Sequence, residues 1–201
     1  MVLARFVARN HASVVRQKVV MEIGCGTGLP GILAAVCGNP KAVFLTDRSD
    51  AIDIQRNVEA NIALNGIEGV ARFLALDWGH VAVSDSLLRI FETVDVLLAA
   101  DCFYASEDFE KVIASVALIF RCNPKCQLYV TYQLRSITRS IAPLLARWRM
   151  QAKALETNAD IADAGSYADS LSGSDGESGD YEARRHHGSE SVFLYEISPL
   201  Q

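Results

Sequence analysis

A glycine-rich stretch near the start of this 201-residue chain is the first place where residue types and spacing could do chemistry. Glycines recur at Gly24, Gly26 and Gly28 directly after an apolar run, and Pro30 stands where the first turn of a helix is expected. Glycines in such a turn let the backbone bend sharply and come into contact with a ligand. The stretch therefore predicts a binding loop between a strand and a helix.

The spacing of the glycines discriminates between ligand classes. Counted from Gly24, a dinucleotide-binding G-x-G-x-x-G needs a third glycine at the position of Leu29, so an oxidoreductase is disfavoured. The stretch also lacks the Gly-Lys-Ser/Thr ending of a phosphate-binding Walker loop. The remaining pattern, E-x-G-x-G-x-G from Glu22 to Gly28, is typical of the turn that holds the nucleoside and amino-acid parts of S-adenosylmethionine.

Acidic and aromatic residues follow the next three apolar runs at the point where each run ends. Asp47 ends the second run, where a carboxylate can accept hydrogen bonds from both hydroxyls of a ribose. Asp77 could accept a bond from the exocyclic amine of an adenine, and Trp78 could offer the ring a flat face. Asp101 and Tyr104 follow the fourth run, beside the crevice where open α/β sheets bind their ligands.

Each of these residues also has a purely structural interpretation. Asp47 could belong to a turn, Trp78 could be part of the core, and Asp101 could cap the helix that follows it. Together with the glycine turn, these residues make four sites on four successive strand ends, which favours a shared pocket over coincidence. At the fifth strand end, Tyr132 and Gln133 are further candidates for substrate contact.

The histidines and cysteines do not indicate a metal centre. His80 has no identifiable partner, which favours a structural imidazole over a catalytic base, and the adjacent pair His186 and His187 is a weak metal signal. The five cysteines are an odd number and lack the paired CxxC spacing of a zinc site. We expect reduced thiols and no bound metal.

Strand-like and helix-like segments alternate along most of the chain. Apolar runs predict strands at KVVMEIG, AVFLTD, ARFLALD, VDVLLAAD, QLYVTYQ and SVFLYEIS. Helical patterns lie at LPGILAAVCG, Ser49–Asn65, Ser106–Phe120 and Ser140–Arg149. The alternation predicts an α/β fold with a Rossmann-like, doubly wound, mostly parallel sheet and helices on both faces. The final run fits an antiparallel edge strand beside QLYVTYQ.

Length and charge limit the domain organisation. The chain fits a single domain over residues 1–201, and no apolar run reaches the length of a membrane helix. Residues 156–182 hold eight acids and no lysine or arginine, so the net charge of −5 becomes +3 for the rest of the chain. The Ser, Gly and Asp-rich composition predicts a disordered acidic loop at about 157–188 before the last strand. Such charge runs are usually solvated surfaces rather than binding sites.

The first 21 residues carry basic side chains and no acid. A mitochondrial transit peptide shares this composition, but an amphipathic helix with Leu3, Phe6 and Val7 facing the core explains it more simply. We expect a soluble, intracellular protein.

The residues resemble the seven-strand S-adenosylmethionine-dependent methyltransferases, specifically the methyltransferase-like protein 23 group of the protein-lysine-methyltransferase-like family. The matching motifs are EIGCGTGLPGILAAVCG, LDWGH, LLAADCFYASEDFEKVIASV and NPKCQLYVTYQLRS followed by LLARWRM, in order over most of residues 19–150. The resemblance implies a class I methyltransferase fold in which Asp101 and Tyr104 face the substrate. It also implies cofactor contacts from Gly24, Cys25, Gly26, Asp47, Trp78 and the backbone of Ala100.

The resemblance further implies a protein methyltransferase that uses S-adenosyl-L-methionine, acts on histone arginine, and lies in the nucleus and cytoplasm. We expect Asp101 to orient the incoming nitrogen and accept its hydrogen bonds, with Tyr104 bordering the channel. Two departures are a missing tryptophan-containing lid segment before the first helix and a longer acidic loop. The alternatives are a lysine methyltransferase of a non-histone protein and a weakly catalytic cofactor-binding module with chaperone association.

Other partners are disfavoured by the sequence. An Asn-Pro-Pro-Tyr motif is absent, and the positive excess outside the acidic loop does not form a basic stripe, so direct nucleic-acid binding is not expected. A membrane partner is not expected either. The paired-glutamate loop of the main arginine methyltransferases is also absent, so arginine as the substrate depends on the resemblance alone.

Overall fold

Seven strands form one mixed sheet in the part of the chain described by the computed structural model, residues 1–80, 83–133, 141–155 and 192–200. The strands are β1 Val19–Ile23, β2 Ala42–Asp47, β3 Ala71–Ala75, β4 Val96–Ala100, β5 Gln127–Gln133, β6 Met150–Leu155 and β7 Val192–Pro199. Their order across the sheet is β3-β2-β1-β4-β5-β7-β6.

Strands β1 to β5 are parallel, while β7 runs antiparallel to both β5 and β6. The carboxyl ends of the five parallel strands therefore meet at one edge of the sheet. The chain winds outward from β1 through β2 to β3 and then returns to place β4 on the other side of β1. This reversal is the position at which open α/β sheets form a ligand crevice.

Helices cover both faces of the sheet, as predicted. They are α1 Val2–Val14, α2 Leu29–Gly38, α3 Ile52–Leu64, α4 Asp85–Phe91, α5 Phe109–Cys122 and α6 Ala142–Arg147, with a short 3-10 helix at Ser106–Asp108. One core layer joins α4, α5 and α6 to Met21 and Ile23 of β1, and the other joins α1, α2 and α3 to Val20. Successive β1 side chains thus enter opposite layers, which explains its continuous apolar run.

The predicted amphipathic character of α1 is confirmed. Leu3 and Val7 are fully buried in the layer that α1 shares with α2 and α3, and the Phe6 ring lies 5.2 Å from that of Tyr129 on β5. No described helix combines the length and the apolar character that a bilayer crossing requires.

The C-terminal part of the sheet corrects one prediction and adds a strand that was not predicted. β7 pairs with β5 as predicted, but it is an interior strand, because β6 lies outside it and forms the edge. β6 was not predicted because Met150 is its one buried residue and four exposed residues follow it, which is an edge-strand pattern without an apolar run. The acidic loop predicted at about 157–188 lies outside the described residues.

Candidate functional site

A cavity of about 470 Å³ lies at the carboxyl ends of the parallel strands, where the sheet order reverses. Its volume is in the usual range for small-molecule sites. It brings together several residues that the sequence analysis singled out on four strand ends: Gly24, Gly26, Asp47, Asp77, Trp78, Asp101 and Tyr104. It is also lined by residues that were not predicted: Arg48, Ile54, Cys102, Asp108 and Lys111.

The glycine turn needs its glycines for two different reasons. Gly24 and Gly26 both have left-handed backbones, with φ of +60° and +51°. A Cβ on Gly24 would lie 2.5 Å from Cζ2 of Trp78, so the indole packs directly on the turn. A Cβ on Gly26 would meet no atom within 4 Å, although Gly26 lines the cavity. The Gly26 backbone is thus open to close approach by a ligand, as a cofactor cradle requires.

Glu22 does not line the cavity, which corrects its predicted role as a cofactor contact. Its side chain is fully buried beneath the turn, where Oε2 accepts a hydrogen bond from the Gly31 amide at 2.8 Å. Oε1 has no hydrogen-bond partner among the described residues. Burial raises the pKa of Glu22 to about 8, so the carboxyl is mostly neutral at pH 7. The residue ties β1 to α2.

Gly31 was not predicted as part of this region. It also corrects the argument that Leu29, at the third glycine position, disfavours a dinucleotide. A Cβ on Gly31 would lie 2.8 Å from Oε2 of Glu22 and would clash with Leu45, so only glycine allows α2 to pack this closely on the sheet. Counted from Gly26, the turn does carry G-x-G-x-x-G, with Gly31 as the helix-packing glycine. Glycine spacing alone therefore does not exclude a dinucleotide.

Three further predicted cofactor contacts lie beside the cavity and do not form its wall. Cys25 is buried, and its amide already donates to the Thr46 carbonyl at 2.9 Å. Gly28 closes the turn by donating to the Cys25 carbonyl at 2.7 Å. Ala100 ends β4 and is partly buried. The structure thus gives Cys25 and Gly28 a part in shaping the turn.

Two carboxylates link the loops that follow β1, β2 and β3. Asp47 accepts hydrogen bonds from the Gly26 amide on Oδ2 and from the Arg48 amide on Oδ1, both at 2.9 Å. Asp77 accepts bonds from the Ser49 amide and hydroxyl, both at 2.8 Å, and these bonds hold the pKa of Asp77 below its usual value. Each carboxylate oxygen can accept a second bond, so both side chains can still receive ligand hydroxyl or amino groups.

Trp78 packs against the core and also lines the cavity, so its contact with an adenine ring stays a prediction. The exposed His80 follows on the same loop and does not line the cavity.

Asp101 occupies a strained backbone position at the end of β4. It is exposed, lines the cavity and has φ of +55°, a left-handed value that aspartate tolerates better than most residues. Such conformations cluster at functional sites. The helix starts that follow have Ala105 and Asp108 at their cap positions, so Asp101 is not a helix cap. Tyr104 is 50% exposed at the cavity mouth.

The structure contradicts the prediction that Tyr132 contacts the substrate. Its side chain is buried in the core, where its ring meets Phe103 edge-on at 6.1 Å, and it does not line the cavity. Leu128 and Val130 share this strand face, so the two-residue period of β5 carries Tyr132 inward. Gln133 ends β5, and its side chain lies outside the described part of the structure.

Charge at the cavity is predominantly negative. Two cations, Arg48 and Lys111, accompany four carboxylates, those of Asp47, Asp77, Asp101 and Asp108. Lys111 pairs with Asp108 at 2.7 Å and Arg48 with Asp50 at 3.0 Å. All five cysteines are free thiols, as predicted, and the described ranges hold no group of three or more His, Cys, Asp or Glu suited to a metal ion. The pair His186 and His187 lies outside those ranges.

Comparison with known proteins decides the family. Residues 1–141 match the sequence model of a family described as lysine methyltransferase. The chain belongs to this family. Within it, the chain is 37% identical over 134 residues to human histone-arginine methyltransferase METTL23, covering 67% of each protein. It is 35% identical over 141 residues to the Xenopus laevis protein of the same name, covering 70% of this chain and 58% of that one.

These relatives confirm the predicted resemblance to the methyltransferase-like protein 23 group, and the chain spans 58% to 67% of their length. The fold agrees. A TehB-like SAM-dependent methyltransferase from Corynebacterium glutamicum superposes with a TM-score of 0.58 at 16% identity, over 99% of this chain and 87% of that one. The class I methyltransferase fold is thereby confirmed, and family and fold imply S-adenosyl-L-methionine as the cofactor. The open backbone at Gly26 and the acceptors Asp47 and Asp77 fit this molecule.

Proposed function

We propose that this chain transfers a methyl group from S-adenosyl-L-methionine to a side-chain nitrogen of a protein, with histone arginine as the substrate. One observation carries the proposal: the carboxylates of Asp47, Asp77 and Asp101 meet the glycine turn around a single cavity where the sheet order reverses. The family match and the names of the relatives support it.

The residues around the cavity divide the work of binding and alignment. When bound, S-adenosyl-L-methionine would supply an electrophilic methyl group, whose thioether leaving group would take the electrons of the broken carbon–sulfur bond, and the proton of the substrate nitrogen would pass to solvent. Gly26 and Asp47 hold the cofactor, and Asp101 accepts hydrogen bonds from the incoming nitrogen and so aligns its lone pair. Tyr104 borders the entrance, where its ring can pack against a cationic side chain.

The charge of the cavity and the names of the relatives support the proposed substrate class. Four carboxylates against two cations around the cavity favour a basic side chain. Arginine is supported by the relatives named histone-arginine methyltransferase. Lysine is the second candidate, because the family model itself is described as lysine methyltransferase.

The proposal also covers the location of the protein in the cell and the proteins that it binds. A histone substrate requires access to the nucleus or to newly made histones in the cytoplasm, so we propose both locations, with chaperone association and without direct nucleic-acid binding. Fractionation of cells that express the tagged chain, followed by recovery of its bound proteins, tests this part.

The decisive experiment measures label transfer from radioactive S-adenosyl-L-methionine to core histones, with Asp101→Ala beside the wild-type chain. Asp53→Ala is the matched control, because its carboxylate is fully exposed on α3. We expect Asp101→Ala to lower transfer by about 100-fold, with cofactor affinity kept, because the carboxylate acts on the substrate nitrogen. Hydrolysis of the product to amino acids then distinguishes methylarginine from methyllysine.

Four outcomes are informative. Methylarginine supports the proposal and methyllysine supports the second candidate. Cofactor binding without transfer to histones or to any protein of a cell lysate would refute the proposal and favour a binding module. Equal transfer by Asp101→Ala and Asp53→Ala would remove Asp101 from the mechanism.

A further inference from the structure

The loop after β3 is anchored to α5 through one buried hydroxyl. Ser115 lies in the middle of α5 and is only 6% exposed. Its Oγ accepts a hydrogen bond from the Gly79 amide at 2.9 Å and donates one to the Lys111 carbonyl at 3.1 Å. The hydroxyl therefore joins a backbone donor on the loop to a backbone acceptor on the helix.

Gly79 lets the loop lie flat on the helix surface. Its φ of +76° is left-handed, and an added Cβ would come within 3.1 Å of Cβ and Cγ of Lys111. Both the conformation and the close approach require glycine. The contact with the Lys111 stem and the bond to Ser115 lie one helical turn apart on α5, so the loop is held at two successive points.

The residue before Gly79 is Trp78, whose ring lies against the glycine turn. Its Cζ2 atom lies 2.5 Å from the position of a Cβ on Gly24. A continuous path thus runs from α5 through the Ser115 hydroxyl, the Gly79 amide and the indole to the turn that begins after β1. Trp78 and Gly24 both line the cavity.

A serine at position 115 is not what core packing alone would select. Its neighbours Val112, Val116 and Ile119 on α5 are fully buried and apolar. Alanine is the stronger helix former, and a serine that bonds back to the carbonyl four residues earlier is mildly unfavourable in a helix. The bond to Gly79 explains the hydroxyl, because without it a partly buried amide would have no partner.

We propose that Ser115 is a positioning residue that fixes Trp78 against the glycine turn and thereby sets the affinity for the cofactor. The inference rests on the proposed function only for the identity of the ligand. The placement of the indole by the hydroxyl is a property of the free protein.

Ser115→Ala tests this in a Trp148→Phe background, where Trp78 is the remaining tryptophan. Compared with the Trp148→Phe parent, we expect Ser115→Ala to lower the affinity for S-adenosyl-L-methionine, measured by calorimetry, by about fivefold or more. The KM for the cofactor should rise, and kcat should stay within about twofold. We also expect the indole emission of the free protein to shift to longer wavelength as the ring loosens from the turn. Ser115→Thr keeps the hydroxyl and its bond to the carbonyl four residues earlier, so it should recover most of both signals.

Val116→Ala is the matched control, because it removes buried atoms from the same helix and leaves the hydroxyl that accepts the hydrogen bond of the Gly79 amide. Val116→Ala should keep the cofactor affinity and emission of the wild-type chain, even where its unfolding midpoint falls as much as that of Ser115→Ala. If Ser115→Ala matches Val116→Ala in both readouts, Ser115 is merely a core residue and the inference is wrong. If the wild-type chain binds no cofactor, the proposed function fails, and the emission of the free variants still decides the role of Ser115.

Discussion

The cavity has two sides that are built in different ways. The turn-side rim consists of Gly24, Gly26, Asp47 and Asp77, and the open rim consists of Asp101, Tyr104, Asp108 and Lys111. Backbone amides and close packing fix the turn-side rim, through the bonds of Asp47 to Gly26 and of Asp77 to Ser49 and through the indole on Gly24. The open rim spans the segment from the end of β4 to the first turn of α5, where Asp101, Tyr104 and Lys111 are exposed and Lys111 forms an ion pair with the partly buried Asp108.

This difference matches two kinds of ligand. A cofactor has a fixed shape, so a rim held by backbone bonds recognises it at little conformational cost. A protein substrate brings a long, mobile cationic side chain, which exposed carboxylates and an aromatic ring can receive by small rotations. Changes on the turn-side rim should therefore produce large effects on cofactor affinity and stability. Apart from Asp101, whose loss should lower transfer itself, changes on the open rim should produce small effects on substrate affinity.

Gly24→Ala should produce the largest effect. Gly66→Ala is its matched control, because φ is +60° at Gly24 and +63° at Gly66, while a Cβ on Gly66 would meet nothing within 4 Å. Both substitutions carry the left-handed strain of about 1–2 kcal/mol, but only Gly24→Ala forces Trp78 off the turn. We expect a loss of cofactor affinity of about 100-fold for Gly24→Ala and little change for Gly66→Ala, measured by calorimetry.

Gly26→Ala separates ring displacement from filling of the cavity. Its φ of +51° gives similar strain, and its Cβ would enter open space beside the cavity. Affinity should fall by about tenfold while the unfolding midpoint stays near that of Gly66→Ala. Equal cofactor affinities for all three variants would show that the turn does not approach the cofactor.

Much of the turn-side rim could be predicted from the sequence, since it consists of local signals. An apolar run that ends in a glycine or an acid marks a strand end, and parallel strands bring such ends together, as they do for Asp47, Asp77 and Asp101. The glycines of the turn are adjacent in sequence, so their spacing is directly visible. The α/β fold followed from the same runs.

The missed residues depend on contacts between distant segments. Ser115 and Gly79 are 36 positions apart, and only the packing of α5 on the loop brings them together. Glu22 was assigned to the cavity because it belongs to the motif, yet the strand period turns it toward α2. Strand β6 was missed because edge strands need no apolar run. The Ser84 cap, which accepts a bond from the Leu87 amide, was an available signal for α4.

Another prediction concerns pH and the buried carboxyl beneath the turn-side rim. The pKa of Glu22 rises from 4.5 to about 8 on folding, so between these values the folded protein keeps a proton that the unfolded chain has released. Stability should therefore fall as the pH rises from about 5 to 8 and then level off. Glu22→Gln keeps an acceptor for Gly31 and cannot titrate, so it should remove this loss of roughly 2 kcal/mol or more.

Denaturant unfolding at pH 5 and pH 8 measures the difference. Glu68→Gln makes the same chemical change at an exposed position and should keep the pH profile of the wild-type chain. If stability depends on pH in the same way for Glu22→Gln and the wild-type chain, the Glu22 carboxyl is ionised in the folded protein, and no neutral carboxyl lies beneath the turn-side rim.

The smallest effect is expected on the open rim, from Lys111→Met. Methionine keeps the stem that contacts Gly79 and removes the ammonium that pairs with Asp108, so the carboxylate of Asp108 becomes available to a basic substrate. The lysine side chain is 55% exposed, and surface pairs contribute little, so the KM for a histone peptide should fall by only about two- to threefold. Cofactor affinity should not change, and the gain in substrate affinity should shrink as salt is added.

Lys125→Met is the control, because Lys125 lies at the opposite end of the sheet, before β5, and its substitution should leave the KM unaltered. A rise in KM for Lys111→Met would mean that the ammonium itself helps to bind the substrate, and a change in cofactor affinity would show that the two rims do not act separately.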